Sequence, residues 1–573
     1  MKMIIRTVFK RSVYLCGCAV VFAGASLAFA ESERGGRPNI LFIHMEDMGC
    51  EIPPYGDMTQ KTPNLSRLAE QGMVFDRVNV TAASCALSRG SLFSGLYPHQ
   101  NGIWGFVDTH GWHYRKEVIT YIELLGKAGY RTGLTYKTGL AASDKSKVPF
   151  DLMASYNHNP YIKGTNPYKV SNCIDHFKKF LETQPKGKPF YFQAQTNDTH
   201  NDWDRPEMIR GMETTHGLKP VDPSQVKASN FPNLGNDIQL TPKFKKYLAG
   251  YYGAIQRVDY YVGEILSLLE KFGHTDNTLV IFSSDHGPSD INNRGKVTSY
   301  EHGVRVPFIV KWPGVVKPKT RSDALVSFVD LYPTFCAVAG ADVPDYLPGY
   351  SLVPVFDGRK PDGVRKYLFT AYNAHGTGYA MLYPGRTIND GRFKLIHHLM
   401  ADGKTPRGKT KYGGYPYKPH RLKDSIAASG SDSQAADIVR RTVTPPPLEL
   451  YDLQNDPGET VNLAGDPKYQ SVLKSLQAEL GKWRVGTDDP LRDPKVLDEF
   501  IDEWLRDVDV YFKVILEKGR KALLQEGKDP SGLKRSAIVS AGKGVAGRER
   551  WCLNRERWID ASDPSNWIKD PGR

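Results

Sequence analysis

A cysteine, a serine and an arginine within one five-residue stretch form the segment of the chain best suited to chemistry. Cys85 is followed by Ser88 and Arg89, and a short apolar run then ends at Gly95. This pattern predicts a loop that delivers Cys85 to a helix N-terminus, where backbone N–H groups and the helix dipole favour an anionic ligand. On a helical path Arg89 faces the same side as Cys85, and its guanidinium can bind an oxyanion at two points. The alternative interpretation is a buried structural cysteine.

Two pairs of potential metal ligands stand where buried strands are expected to end. Glu46-Asp47 follows one apolar, β-branched run, and Asp285-His286 follows another. Ligands bind beyond the carboxyl ends of strands in parallel sheets, so the two pairs can converge on one ion. Carboxylate oxygens suit a hard divalent cation such as Ca²⁺ or Mg²⁺. The alternative is two unrelated, solvated turns.

The Cys85 segment resembles the signature of the sulfatase family, in which C-x-P-S-R is followed by a helix of small residues and a G-x-Y-P-H-Q-N-G segment. Gly95 to Gly102 reads G-L-Y-P-H-Q-N-G and is most similar to the heparan N-sulfatase (sulfamidase) branch. The resemblance covers roughly residues 37–485. It implies that a maturation enzyme oxidises Cys85 to formylglycine (3-oxoalanine), whose hydrate attacks sulfur. Leu87 stands at the proline position, which that enzyme reads.

The resemblance also assigns roles to the other candidate residues. The family's metal positions fall on Glu46, Asp47, Asp285 and His286. They imply one divalent cation, with Ca²⁺ the first expectation and Mg²⁺ or Mn²⁺ the alternatives. The family's catalytic positions fall on Cys85, Arg89, Lys137, His200 and Lys296. Lys296 and His200 would protonate the leaving group, while Arg89 and Lys137 would orient the nucleophile.

Two further positions depart from the family pattern. Glu46 replaces the first of two aspartates, and its longer side chain can shift the ion or favour Mg²⁺ or Mn²⁺. Gly139 stands where the pattern Gly-Lys-x-His-x-Gly has a histidine, which in the family helps to expel sulfate as a general base. Together with Leu87, these departures leave a slow or inactive relative as an alternative.

The sequence therefore predicts an exported hydrolase that removes sulfate ester or sulfamate groups from sulfated oligo- or polysaccharides. A basic balance and a basic loop from Lys404 to Lys418 suit a polyanionic substrate. One alternative is a phosphoester or phosphonate hydrolase of the same superfamily, although its two-metal members need more ligands than the chain offers. Another is a catalytically impaired, glycan-binding relative. Nucleic acid is not a predicted partner, because no stacking-and-basic module accompanies the charge.

Strands that alternate with helices are expected to position these residues. Buried strands are predicted at Pro38–His44, Tyr130–Lys137, Pro189–Gln195 and Thr278–Ser284. Helices are predicted at Pro63–Gln71, Glu117–Ala128, Pro242–Phe272, Ser327–Ala339 and Pro467–Arg484. This alternation predicts an α/β fold with a large doubly wound, mainly parallel sheet flanked by helices. Short strands after about Arg365 predict a smaller C-terminal antiparallel α+β domain.

Four segments follow from this organisation. They are a signal peptide at 1–30, a catalytic sulfatase domain at 37–364, the smaller antiparallel domain at 365–490, and a helical and basic tail of unknown role at 491–573.

The first thirty residues have the pattern of a signal peptide. Basic residues precede an apolar stretch from Ser12 to Leu27, and Ala28-Phe29-Ala30 forms an A-x-A cleavage site. Cleavage after Ala30 predicts a periplasmic or secreted protein, and no later apolar run is long enough to span a membrane. Removal of four basic residues lowers the formal net charge of the 573-residue chain from +13 to +9. Five of seven cysteines remain, too widely spaced for a zinc site or a disulfide scaffold.

Overall fold

The computed structural model describes residues 36–105, 112–140, 146–155, 170–200, 203, 218–289, 291, 294–376, 381–407, 422–505 and 524–525. The predicted signal peptide and most of the basic loop and the tail lie outside these residues. In the described part of the chain, no helix combines the length and apolar character needed to cross a membrane.

Eight of the described strands form a mixed, mainly parallel sheet in the order β4-β3-β5-β1-β6-β7-β2-β8. The strands are β1 (Asn39–Met45), β2 (Met73–Asn79), β3 (Arg131–Tyr136), β4 (Leu152–Ser155), β5 (Phe190–Ala194), β6 (Thr278–Ser284), β7 (Phe308–Lys311) and β8 (Thr320–Ser327). Central β1 pairs in parallel with β5 and β6. β7 runs antiparallel to both β6 and β2. Every residue of β1 and β6 is buried, as expected for apolar strands covered on both faces.

Helices pack on both faces of this sheet, and others belong to the C-terminal part of the chain. The helices of the described residues include α1 (Pro63–Glu70), α2 (Cys85–Ser94), α3 (Pro98–Asn101), α4 (Tyr121–Lys127), α5 (Val170–Glu182), α6 (Pro242–Lys271), α7 (Glu301–Val304), α8 (Leu331–Ala339), α9 (Val353–Phe356), α10 (Lys423–Ser429), α11 (Gln434–Val443) and α12 (Gln470–Gly486). One core contains side chains of α2, α4 and α8, and the other contains side chains of α1, α5 and α6. Because side chains alternate along a strand, Phe42 of β1 lies in the first core and Ile43 in the second.

A four-stranded antiparallel sheet follows in the order β12-β11-β10-β9. Its strands are β9 (Leu368–Tyr372), β10 (Gly385–Asn389), β11 (Phe393–His398) and β12 (Leu448–Asp452). α12 packs on this sheet through Leu473, Leu476 and Leu480. The two sheets confirm the predicted fold class. The domain boundaries proposed at residues 364 and 490 stay predictions.

Several helix bounds differ from the sequence prediction for local reasons. The helix predicted from residue 117 begins at Tyr121, because Thr120 and Glu123 form a reciprocal capping box there. The helix predicted from residue 327 begins at Leu331, because residues 328–330 form a 3-10 turn.

Candidate active site

The ends of β1 and β6 bring the two predicted ligand pairs together. The Asp285 backbone N–H donates to Met45 O over 3.0 Å, and the Asp47 N–H donates to Asp285 Oδ1 over 3.0 Å. Asp47 has a φ of +52°, in the left-handed region that aspartate tolerates better than most residues. The chain therefore turns sharply just after β1 and presents two successive acidic side chains at the sheet edge.

Four buried groups lie close enough to surround one metal ion. The potential ligand atoms of Asp47, Cys85, Asp285 and His286 all lie within 4.8 Å of one another. His286 Nε2 is 3.3 Å from Asp47 Oδ1 and 3.8 Å from Asp285 Oδ1. Its Nδ1 is 2.8 Å from Gly287 O, which places the proton on Nδ1 and leaves the Nε2 lone pair facing the carboxylates. This donor set fits a divalent cation.

Glu46 lies beside this group and faces cationic side chains. Its Oε1 is 2.6 Å from Lys137 Nζ, and its Oε2 is 2.8 Å from Arg89 Nη2. Burial acts to raise the pKa of Glu46, but Lys137 and Arg89 hold that pKa well below its usual value. Glu46 also forms a second potential ligand set with Asp47 and His200. Three of the four predicted ligands thus surround one point together with Cys85, and Glu46 borders it.

Arg89 fastens both strand ends to α2. Its Nε lies 3.0 Å from Asp285 Oδ2, and its Nη2 pairs with Glu46. Its Nη1 also donates to the side-chain oxygen of Gln195 and, over 3.4 Å, to Lys137 O. Because this guanidinium is fully buried and paired with two carboxylates, Arg89 positions the site.

Lys296 and His200 form the more accessible side of the site. Lys296 Nζ lies 3.0 Å from both carboxylate oxygens of Asp47 and 3.3 Å from His200 Nε2. The His200 side chain is 34% exposed, whereas that of Asp47 is fully buried. Burial and the neighbouring Lys296 lower the pKa of His200, so its imidazole is neutral beside a charged ammonium. A substrate group that approaches from this side meets His200 first, beside the Lys296 ammonium, which can donate a proton.

The charges of the site balance without a metal. Three buried carboxylates face three cations, namely Glu46, Asp47 and Asp285 against Arg89, Lys137 and Lys296. A divalent cation would therefore leave two net positive charges in a buried pocket. Such a pocket favours an anionic group, since charges interact strongly where water is excluded.

Cys85 is the first residue of α2 and is 1% exposed. Its Sγ lies 3.1 Å from Glu46 Oε1 and 3.3 Å from His286 Nε2. Burial and the Glu46 carboxylate raise the pKa of the thiol well above its usual value. The unmodified side chain is therefore a neutral thiol in this arrangement, although it stands where a nucleophile would act.

Sequence reasoning missed the residues that hold the site from behind. Thr199 donates from its backbone N–H and its hydroxyl to Glu46 O over 2.8 and 2.9 Å. Asp198 pairs at two points with Arg257 of α6, which anchors the segment that carries His200. Residues 197–200 read Asn-Asp-Thr-His just after a predicted strand, and this string was a sequence signal for both. His375, whose Nδ1 lies 2.7 Å from Ser84 Oγ, was also missed, and no local sequence pattern indicates it.

The comparison with known proteins agrees with this geometry. Residues 38–341, just over half of the chain, match the family described as Sulfatase. Residues 294–405 match the family described as N-sulphoglucosamine sulphohydrolase, C-terminal. The chain belongs to the sulfatase family.

This sulfatase is similar to several characterised proteins over most of its length. Human N-sulphoglucosamine sulphohydrolase is 30% identical over 481 residues, which cover 79% of this chain and 91% of the human protein. An ulvan-active sulfatase of Formosa agariphila is 29% identical over 473 residues, covering 79% and 81%. The solved phosphonate monoester hydrolase of Agrobacterium radiobacter has a TM-score of 0.57 at 20% identity, covering 79% and 96%, and shares the fold.

The structure explains one departure of this sulfatase from the family pattern. Gly139 has a φ of +73°, and a Cβ there would lie 2.7 Å from Arg89 Cδ. Arg89 cannot withdraw from such a clash, because Glu46 and Asp285 hold its guanidinium. A histidine at this position would therefore disturb the arginine that organises the site.

The G-L-Y-P-H-Q-N-G segment of the sulfatase is buried rather than open to substrate. His99 Nε2 lies 3.0 Å from Thr487 Oγ1, and its ring packs edge-on against Trp483 of α12. Burial lowers the pKa of His99 to about 3, so the imidazole is neutral. This segment contains α3, packs against the C-terminal end of α12 and has a structural role.

Proposed function

We propose that this sulfatase is an exported enzyme that hydrolyses sulfate ester or sulfamate groups on sulfated glycans, with a formylglycine made from Cys85 and one divalent cation. The convergence of Asp47, Asp285 and His286 on the first residue of a buried helix carries this proposal. Two relatives support the substrate class, since one is named for N-sulphoglucosamine and the other for ulvan.

The surrounding residues have roles that follow from their contacts. A formylglycine would supply the nucleophile, and the cation would polarise the sulfate group. Asp47, Asp285 and His286 would hold the cation, while Arg89 keeps the strand ends in register with α2. Lys137 and Lys296 would attract the anionic group. Lys296 and the adjacent His200 would pass a proton to the leaving oxygen or nitrogen.

The cellular route of the enzyme is part of the same proposal. The signal-peptide pattern of residues 1–30 supports export to the periplasm or beyond, with cleavage after Ala30. Conversion of Cys85 needs a maturation enzyme as a partner. The residues around Cys85 offer it Ser88 and Arg89, with Leu87 in place of proline.

The shared fold of the phosphonate monoester hydrolase supports a second candidate function, the hydrolysis of phosphonate or phosphate esters. A sulfate and a phosphonate group both carry negative charge on oxygen, so the same pocket charge suits both. Turnover on matched substrates separates the two.

The decisive experiment combines mass spectrometry with a substrate panel. The mass of the peptide that contains residue 85 is measured on native protein, and turnover is measured with divalent metal on N-sulfated glucosamine, O-sulfated oligosaccharides and a phosphonate ester. We expect a formylglycine mass and activity on a sulfated sugar in proportion to the converted fraction. Cys85→Ala is the control and should stay folded and inactive.

Three outcomes would contradict the proposal. An unmodified thiol at position 85 together with full activity of Cys85→Ala would exclude the formylglycine mechanism. Faster turnover of the phosphonate ester would favour the second candidate function. Binding of sulfated glycans without turnover of any substrate would identify a glycan-binding relative.

A further inference from the structure

Ser84, the residue before Cys85, has the backbone of a helix N-cap but not the hydrogen bond of one. Its φ of −155° and ψ of 130° are extended, as in most N-caps, and serine is among the preferred N-cap residues. Yet its side chain accepts no hydrogen bond from the first turn of α2. The Ser84 Oγ instead lies 2.7 Å from His375 Nδ1, although the two residues are 291 positions apart in the sequence.

His375 reaches this position from the smaller sheet. It follows β9, and its backbone N–H donates to Met381 O over 3.1 Å. Two residues earlier, Asn373 Oδ1 accepts from Arg386 Nη1 over 2.9 Å. Arg386 is fully buried and pairs at two points with Asp489, over 2.8 and 2.9 Å. The imidazole is thus carried on a firmly held segment.

The surroundings of His375 keep its ring neutral. Burial, followed by the positive charge of Lys296, lowers the pKa of His375 well below its usual value, and the Asp47 carboxylate opposes them. A neutral imidazole can accept a hydrogen bond at Nδ1 from the Ser84 hydroxyl. The serine then has its proton directed towards the smaller sheet and its oxygen held away from α2.

We propose that His375 is a positioning residue that keeps the N-terminus of α2 open for an anion by holding the Ser84 hydroxyl away from the first-turn N–H groups. The inference rests on the proposed function, because the anion is the sulfate group brought to position 85. The first-turn N–H groups and the helix dipole then act on that group together with Lys137 and Lys296. The smaller sheet thereby contributes to anion binding without touching the anion.

The expected size of the effect follows from the strength of N-caps. A released Ser84 can rotate and cap α2, and a serine cap stabilises a helix by about 1 kcal/mol. An anion must displace that cap to reach the same N–H groups. Loss of His375 should therefore weaken anion binding about fivefold, which is the same free energy expressed as an affinity.

The test measures inorganic sulfate binding to the metal-loaded full chain by calorimetry, and its inhibition constant in the activity assay. His375→Ala should weaken sulfate about fivefold and raise KM by a similar factor, with kcat within about twofold. Ser84→Ala should bind sulfate with the affinity of the wild-type protein, because no hydroxyl remains to cap the helix. The double variant should recover the lost affinity. His375→Asn keeps a hydrogen-bond acceptor near Ser84 and should retain most of the sulfate affinity.

Other results would overturn the inference. If Ser84→Ala fails to rescue His375→Ala, or itself weakens sulfate binding, the serine is not the intermediary. Equal loss in His375→Asn and His375→Ala would also exclude the hydrogen bond as the cause. His274→Ala, which removes a histidine at the opposite end of β6, is the control and should leave sulfate affinity unchanged. Because sulfate binding needs no turnover, these results stay readable even if the proposed hydrolysis of sulfated glycans fails.

Discussion

Two regions of this sulfatase bury charged side chains and use them in opposite ways. At the ends of β1 and β6, the carboxylates of Asp47 and Asp285 converge with His286 on one point. A second cluster, here called the junction cluster, consists of Lys394, Glu301 and Glu459. The fully buried Lys394 Nζ of β11 lies 2.9 Å from Glu301 Oε1 and 3.0 Å from Glu459 Oε1, so it ties the smaller sheet to α7.

The difference lies in where the charges are directed. In the junction cluster one lysine sits between two carboxylates, and Glu459 Oε2 also accepts from the Glu301 backbone N–H over 2.6 Å. The groups of this cluster satisfy one another. In the active site the lone pair of His286 and the carboxylate oxygens face a common centre that a cation can fill. Mutual pairing holds the smaller sheet to α7, whereas convergence on one point prepares a binding site.

Asp285→Asn should have the largest effect on activity. The substitution removes one metal-facing charge, and its amide oxygen can accept from the Asp47 backbone N–H or from Arg89 but not from both. We expect kcat/KM to fall by about 1,000-fold or more, because both the cation and the electrostatic stabilisation weaken. Metal content should fall in parallel in elemental analysis, and the loss of activity should remain when it is expressed per folded molecule. Full activity of this variant after chelator treatment would exclude the site.

Lys394→Met should have the next largest effect and should act on folding. It leaves Glu301 and Glu459 without their buried cation, and breaking such an ion pair typically costs about 3–5 kcal/mol. Urea unfolding should report this loss, while kcat per folded molecule stays unchanged. Lys482→Met is the control, since the exposed Lys482–Glu479 pair should contribute less than about 1 kcal/mol. Loss of kcat without loss of stability would show that the junction cluster serves catalysis.

Glu459→Gln should remove a pH dependence that belongs to the junction cluster. Burial raises the pKa of Glu459 from an ordinary 4.5 to about 7, against the opposing effect of Lys394. The folded state therefore binds this proton more tightly, and the stability it contributes is present below pH 4.5 and lost as pH rises through 7.

The measurement is urea unfolding of the unchanged protein and the variant between pH 4.5 and 8. The free energy of unfolding of the unchanged protein should fall relative to that of Glu459→Gln, by at most about 3 kcal/mol over this range. Parallel curves for the two proteins would contradict the assigned pKa.

Glu46→Asp should have the smallest effect. Glu46 borders the metal-facing group and pairs mainly with Lys137 and Arg89, so a shorter carboxylate keeps the charge and loses some contact. We expect kcat/KM to change by less than about tenfold, which is about 1.4 kcal/mol, in metal-dependent assays. Glu46→Gln removes the charge and should cost more. A larger loss in Glu46→Asp than in Asp285→Asn would place Glu46 among the principal ligands.

The central strands could be predicted from sequence because a strand that is buried on both faces has an uninterrupted run of apolar residues. β1 and β6 are such runs, and the structure bounds them within one residue of the prediction. β2 was not predicted, since charged Asp76 and Arg77 interrupt its pattern near the sheet edge. The antiparallel direction of β7 could not be predicted either, because pairing partners are set by tertiary packing and not by local composition.

Some residues of the site could be predicted from local sequence, and others could not because they depend on tertiary contacts. Glu46, Asp47, Asp285 and His286 could be chosen as candidate ligands because each pair directly follows a predictable strand and falls on the metal positions of the family pattern. The role of Ser84 could not be, because it depends on His375 in the other sheet. Only the folded chain brings these two side chains together.

The burial of Cys85 limits when the residue can be modified. It is 1% exposed in the folded chain, and the strand end that covers it, with His286, is made 201 residues later. At synthesis rates of about 5–20 residues per second, that delay is roughly 10–40 seconds. Any enzyme that oxidises Cys85 must therefore act before folding closes the site, so modification and folding are in kinetic competition. The proposed conversion of Cys85 therefore predicts a larger modified fraction when folding is slower.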